Sequence, residues 1–340
     1  MRQAIMTEPG NIEFRDVSVP DVKANEVLLE IKQIGICGSD IHVNHGKHPF
    51  TPYPVVQGHE FMGIVKETGS DVSSEIQPGM KATALPQSVC GQCRPCLRGD
   101  FHICDELKVK GFQAPGCAQD FFIAPDEMVI PLPDSFTYEQ GALIEPTSVA
   151  THSTQRAGDL SGKNVVVLGA GTIGNLVAQV VRSRGAKKIL ITDLSEFRLE
   201  IARKCGIEET TNVNHETLTE ASRRVFGEEG FDIAFEAVGV EATMDAVVET
   251  IQKGGSIVVL GVFEEKPRID MSIVGDRELS IIGTLMYQHK DYQEAVELIQ
   301  SGKVKTQPLV TKHFPFEEYS QAYRFIDEKK DKSMKIMIDL

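Results

Sequence analysis

The sequence predicts an α/β protein made of a mostly-β part and a doubly wound parallel-sheet part. Two observations predict this: the residue pattern changes character at about Thr147, and 340 residues are enough for two domains at roughly 100–200 residues each. Before that point, short β-rich runs such as EVLLEIKQIGI and FMGIVKET alternate with turns at Gln57-Gly58, Gln77-Pro78-Gly79 and Pro131-Leu132-Pro133. That is the spacing of an antiparallel, barrel-like arrangement. Beyond it, strand and helix patterns alternate through NVVVLG, TIGNLVAQVVRSRG, KILITD, EFRLEIARKCG, FDIAFEAVG, EATMDAVVETIQKGG and SIVVLG. These strands are continuous apolar runs, as required where helices cover both faces of a parallel sheet. After Asp276 come ELSIIGTL, two helical stretches and a closing strand MKIMIDL, a tail that either extends the parallel sheet or rejoins the first part.

Composition narrows the function. With 41% apolar and 25% charged residues the chain is an ordinary folded protein rather than a disordered one. Its net charge of −14, from 49 acidic against 35 basic residues with no basic run, makes nucleic acid a poor partner. The N-terminal MRQAIMTEPGNIEF has no signal-like apolar core, and the most apolar stretch, residues 165–181, is broken by three glycines, Asn175 and Gln179. A cytoplasmic location with reduced thiols and no membrane partner is the expectation.

Gly169-Ala170-Gly171-Thr172-Ile173-Gly174 follows an apolar strand and opens a helix, and Asp193 ends the next strand nineteen residues on. In such a turn the first glycine bends the chain, the second admits a pyrophosphate, and the third packs helix on strand beneath the helix N-terminus. Dinucleotide binding in a Rossmann-type domain is the expectation. Asp193 can accept hydrogen bonds from ribose hydroxyls and repels a 2′-phosphate, which favours NAD over NADP. Arg198 complicates this: it reads either as a partner for that phosphate or as a solvated helix residue near the adenosine. The strand end LGV places backbone at Leu260 and Val262 on the nicotinamide side.

Cys90, Cys93, Cys96 and Cys104 lie within fifteen residues, spaced x2, x2, x7. Reduced thiols at that spacing predict a closed tetrahedral Zn2+ site with no open position for a substrate; an iron–sulfur cluster is the alternative. Other candidate ligands are scattered, with Cys37, Ser39, Asp40 and His42 in GICGSDIH, His59 and Glu60 in QGHEFMG, and Glu145 in ALIEP. Adjacent strand residues face opposite ways, so His59 and Glu60 reach one ion only if the chain bends, which Gly58 or Gly63 permits. Asp40 is expected to cap the following helix or to support the zinc ligands. Cys117 and Cys205 are read as packing residues.

GICGSDIH, GHEFMG, the four-cysteine loop, ALIEP and VVVLGAGTIG together resemble the zinc-containing medium-chain alcohol dehydrogenase family, and within it the sorbitol (L-iditol 2-) dehydrogenase and related polyol or sugar-acid branch. The resemblance spans essentially the whole chain. It implies a GroES-like catalytic domain over 1–149 and 276–340, with an NAD-binding Rossmann domain over 150–275. It also implies two zinc ions per chain and a homodimer or homotetramer. It makes Cys37 and His59 catalytic-zinc ligands, Glu60 a direct or exchangeable third ligand, and Glu145 a ligand of the metal or of its water. Alcohol dehydrogenases proper carry a cysteine at this last place, so the site is expected to be more polar.

Zinc lowers the pKa of bound water from 15.7 to about 7, on the order of 12 kcal/mol, and acidifies an alcohol comparably. Ser39 is then expected to take the hydroxyl proton and pass it through the cofactor ribose toward His42 and solvent. Phe112, Met286 and Tyr287 are expected at the substrate pocket. Met286 stands where sorbitol dehydrogenases carry an arginine, which leaves butanediol-type diols, sugar acids and L-threonine-type substrates open. A non-catalytic zinc and nucleotide sensor is the rival from another class.

Overall fold

The computed structural model describes all 340 residues. They divide into two compact units, one of residues 1–145, 288–296 and 310–340, the other of residues 146–287 and 297–309.

The first unit is built on a seven-stranded sheet. Its main path runs Val310–Pro315, Lys335–Asp339, Glu26–Ile36, Glu60–Thr68, Lys81–Ala84 and Val129–Pro131, with Phe121–Pro125 also pairing Glu26–Ile36. All pairings are antiparallel except that between Val310–Pro315 and Lys335–Asp339. Glu26–Ile36 is long because β-branched and leucine residues fill it, and it buries Leu29, Ile31 and Ile34 against Phe61, Val65 and Phe122. The last strand returns to it in register, Ile336 opposite Ile36 and Ile338 opposite Ile34. That register carries Lys335 to the end of the strand preceding Cys37.

The second unit holds a six-stranded, all-parallel sheet in the order Glu209–Asn212, Lys188–Asp193, Asn164–Leu168, Ile233–Glu236, Ser256–Val259, Ser280–Gly283. Numbered along the chain this is 3-2-1-4-5-6, the dinucleotide-binding order, in which ligands meet the carboxyl ends of the strands. Asn164–Leu168 at its centre is buried at every position.

The division corrects the expected boundaries. Residues 276–287 do not return to the first unit, because Ser280–Gly283 pairs in parallel with Ser256–Val259 as the sixth strand. Residues 297–309 also stay with the parallel sheet: the side chain of Gln179 accepts from the Lys305 N–H at 2.7 Å and donates to its carbonyl at 3.3 Å.

Candidate metal centre and dinucleotide turn

Ligand atoms of Cys37, His59 and Glu60 lie within 4.8 Å of one another. Two stretches of chain converge there. Cys37 ends the long strand and caps helix Gly38–Asn44; His59 ends a loop; Glu60 opens strand Glu60–Thr68. The bend that brings His59 and Glu60 to one side is made at Gly58, whose φ of 89° is natural only to glycine and where a Cβ would stand 2.8 Å from the Cys117 sulfur. Gly63, the other expected bend, lies within the strand opposite Ile31.

Asp40 lies inside the helix, three residues after its N-cap Cys37. As the third helical residue it accepts the Cys37 N–H at 2.9 Å, and its other oxygen lies 3.6 Å from His59 Nδ1. With Nδ1 turned to Asp40, Nε2 is the ring atom left for a metal. Asp40 Oδ1 and His59 Nδ1 are both buried without a hydrogen bond, and burial raises the Asp40 pKa. Burial also works against charge on His59, yet Asp40, Cys37 and Glu145 outweigh it and push the imidazole well above its ordinary value. A buried cluster this rich in anionic groups, with a mixed sulfur, nitrogen and oxygen donor set, fits a zinc ion.

Glu60 has a partner that the sequence motifs did not reveal. The ammonium group of the fully enclosed Lys335 donates to both Glu60 oxygens, at 2.8 and 2.5 Å, and to the Ile36 carbonyl at 3.0 Å. Burial would lower the Lys335 pKa, but Glu60 and then Cys37 reverse this and raise it. Gly35 makes the room, since a Cβ there would stand 2.4 Å from Glu60 Oε2. A second strut runs from Tyr323, whose hydroxyl donates to the Gln57 side chain at 2.8 Å, while Gln57 donates to the Asp40 carbonyl at 3.2 Å.

Glu145 is buried at the start of helix Ile144–Arg156 and acts on His59 through its charge, outside the three-residue cluster. Ser39 and His42 stand three residues apart on helix Gly38–Asn44, one above the other and both partly exposed. Phe112 packs on the ligand ring, its centroid 4.9 Å from that of His59, and stacks on His48 at 4.7 Å and 11°. Met286 and Tyr287 belong to the other unit. Tyr287 is fully buried, and Met286 takes a φ of 50°, uncommon for a residue with a side chain.

The four-cysteine loop gathers its sulfurs around one point. Cys93 and Cys104 sulfurs are 3.8 Å apart and those of Cys104 and Cys90 3.6 Å, with Cys96 in the same cluster. Tetrahedral zinc with Zn–S near 2.3 Å requires an edge of about 3.8 Å. All seven cysteines are free thiols; Cys117 and Cys205 are buried in packing.

In the second unit, Gly169 turns the chain at φ 95°, Gly171 caps helix Thr172–Ser183, and a Cβ on Gly174 would lie 1.8 Å from the Gly169 carbonyl. A Cβ on Gly171 would meet nothing within 4 Å, which leaves the turn open in front of the N-terminal residues Thr172 and Ile173. Asp193 accepts the N–H groups of Ala170 at 2.7 Å and Ser195 at 2.8 Å. A carboxylate has about four lone-pair sites, so two remain for a ribose. Arg198 is half-buried on the next helix, its Nε without a hydrogen bond. Leu260 and Gly261 donate to the Glu236 carbonyl, and Val262 is 71% exposed at the strand end.

Residues 23–134 match the family described as alcohol dehydrogenase GroES-like domain, and residues 172–301 match zinc-binding dehydrogenase. The chain belongs to the zinc-binding medium-chain alcohol dehydrogenase family. It is 33% identical over 325 residues to L-threonine 3-dehydrogenase of Legionella pneumophila, covering 94% of each chain, and 28% identical over 343 residues to sorbitol dehydrogenase of Bacillus subtilis, covering 99% and 97%. A zinc-binding dehydrogenase of Sinorhizobium meliloti, solved with NADP bound, superposes with a TM-score of 0.91 at 26% identity over 100% of this chain and 99% of that one. The protein is therefore a zinc-dependent oxidoreductase of the NAD(P)-linked alcohol dehydrogenase type.

Proposed function

We propose that this dehydrogenase oxidises a secondary alcohol of a polyol, sugar alcohol or sugar acid to the ketone, with NAD as hydride acceptor. The observation that carries this reading is the Cys37, His59 and Glu60 cluster, with buried Glu145, not a cysteine, in the same unit. Cys37 and His59 would hold the zinc, and Glu60, which is bonded to Lys335, would be its third ligand. When bound, zinc would supply the Lewis acidity that makes the hydroxyl proton easy to remove, and NAD would be the hydride acceptor. Asp40 sets a buried carboxylate against the Nδ1 side of the His59 ring, 3.6 Å away. Ser39 takes the hydroxyl proton, and His42, one turn further along, passes it on to solvent.

NAD is preferred because Asp193 puts a carboxylate where a 2′-phosphate would have to sit. Asp193→Ala then raises the NADP-to-NAD ratio of kcat/KM; an unchanged ratio overturns this assignment. A second reading, oxidation of L-threonine or of a vicinal diol, is favoured by the 33% identity to the Legionella enzyme. NADH formation across sugar alcohols, diols, sugar acids, their phosphates and L-threonine decides between the two, and absence of turnover with every one of them overturns both. The exposed edge strand Ser280–Gly283 is the proposed seam with a second copy of the chain, refuted by a monomeric mass in sedimentation. Seven free thiols fit the reducing cytoplasm, the proposed location, which recovery from the secreted fraction would refute.

A further inference from the structure

Residues 45–53 form a loop beside the metal cluster that the mechanism above does not use. It is tied down at several points: the Tyr53 hydroxyl donates to the Val43 carbonyl, the Gln113 side chain donates to the Phe50 carbonyl at 3.2 Å, and Thr51 Oγ1 lies 2.7 Å from His48 Nδ1. The His48 ring is fixed twice, by Thr51 at one nitrogen and by its 4.7 Å stack on Phe112 at one face. Phe112 in turn leans on the ring of the metal ligand His59. Phe112 thus joins the two imidazoles, and Nε2 is the polar atom of His48 that Thr51 leaves.

We propose that His48 is a substrate-binding residue that hydrogen-bonds a second oxygen on the substrate's carbon chain, a hydroxyl or a carboxylate next to the carbon being oxidised. This rests on the dehydrogenase reading above and names the side chain that would recognise the second oxygen of such a substrate. A preset imidazole selects oxygen because an apolar group placed against it leaves a polar atom without a partner, whereas a hydroxyl or carboxylate satisfies it. Burial, with His42 and His59 nearby, holds His48 below its ordinary pKa, consistent with a neutral ring. In the tautomer whose Nδ1 accepts from the Thr51 hydroxyl, the ring hydrogen resides on Nε2 as a donor, the form that a carboxylate requires; the opposite tautomer serves a hydroxyl alone.

The test compares the zinc- and NAD-loaded wild type with His48→Ala and His48→Gln on 2-butanol, 2,3-butanediol and 2-hydroxybutyrate. The readout is the kcat/KM ratio of each two-oxygen substrate to the mono-alcohol. The ratio for at least one of them should fall roughly 10- to 100-fold in His48→Ala and recover in part in His48→Gln, which keeps a donor. A fall for the diol alone identifies a hydroxyl, and one that includes the acid identifies a carboxylate. Unchanged ratios, with zinc content and melting temperature like wild type, overturn the proposal. Should the wild type turn over none of the three, binding of the same compounds to the zinc- and NADH-loaded protein by calorimetry decides it separately. Weaker binding in His48→Ala supports the contact, and equal binding refutes it.

Discussion

The two metal clusters of the first unit are opposites in construction. The four-cysteine loop draws like ligands from fifteen consecutive residues, and its own backbone N–H groups support the sulfurs: Cys90 and Glu106 donate to the Cys104 sulfur, and Cys93 donates to that of Cys90. The Cys37, His59 and Glu60 cluster draws unlike ligands from separate segments and leans on Asp40, Gln57, Tyr323 and Lys335. A closed site needs only its ligands. A site that must keep a coordination place for substrate has fewer ligands than the ion would accept, so the protein has to hold each of them by other means.

The largest effect should come from His59→Ala, which removes a ligand from the open cluster alone. Turnover should fall on the order of a thousandfold or more, with NADH still bound by fluorescence titration and one of two zinc ions retained. Retained activity would erase the functional distinction between the clusters. Timed exposure to a chelator probes the same contrast without mutation. Activity should disappear while most of the zinc held by the cysteine loop remains, and simultaneous loss of both ions would show the two sites to be equally closed.

Lys335→Met comes next. Without zinc it leaves Glu60 buried and unpaired, at a cost of about 3–5 kcal/mol. That corresponds to a fall in melting temperature of roughly 6–20 °C. With zinc bound the fall should shrink, because the ion takes over the carboxylate; equal falls with and without zinc would mean that Glu60 never turns to the metal. The smallest effect belongs to Tyr323→Phe, which deletes one hydrogen bond behind the ligand turn. It should cost about 1 kcal/mol and speed zinc release roughly fivefold. An unchanged release rate would reduce the Tyr323 strut to ordinary packing.

The same contrast explains what could be read in advance. The cysteine loop and the glycine turn were legible because their chemistry lies within a few consecutive residues, where spacing alone fixes geometry. Cys37, His59 and Glu60 needed the family resemblance to be joined, since nothing local says that residues on different strands share an ion. Lys335 escaped altogether, its partner being 275 positions away. The one available signal was a lysine opening KIMID, a strand whose following three residues are buried. The strut from Tyr323 to Gln57 left no trace, because a tyrosine on a helix and a glutamine before Gly58 are unremarkable by themselves. The sixth parallel strand was misassigned for a similar reason: ELSIIGTL is apolar enough for either unit, and only pairing with Ser256–Val259 decides.

The long separation between Glu60 and Lys335 sets a clock on biosynthesis. At roughly 5–20 residues added per second, the lysine leaves the peptidyl transferase centre about 14–55 s after the glutamate it neutralises. Throughout that interval Glu60 lacks its counterion, because the strand Lys335–Asp339 that pairs with Glu26–Ile36 has yet to be made. Neutralisation of that carboxylate is thereby tied to synthesis of residue 335, and ribosomes that stall before it yield polypeptides with Cys37, His59 and Glu60 all present but Glu60 unpaired.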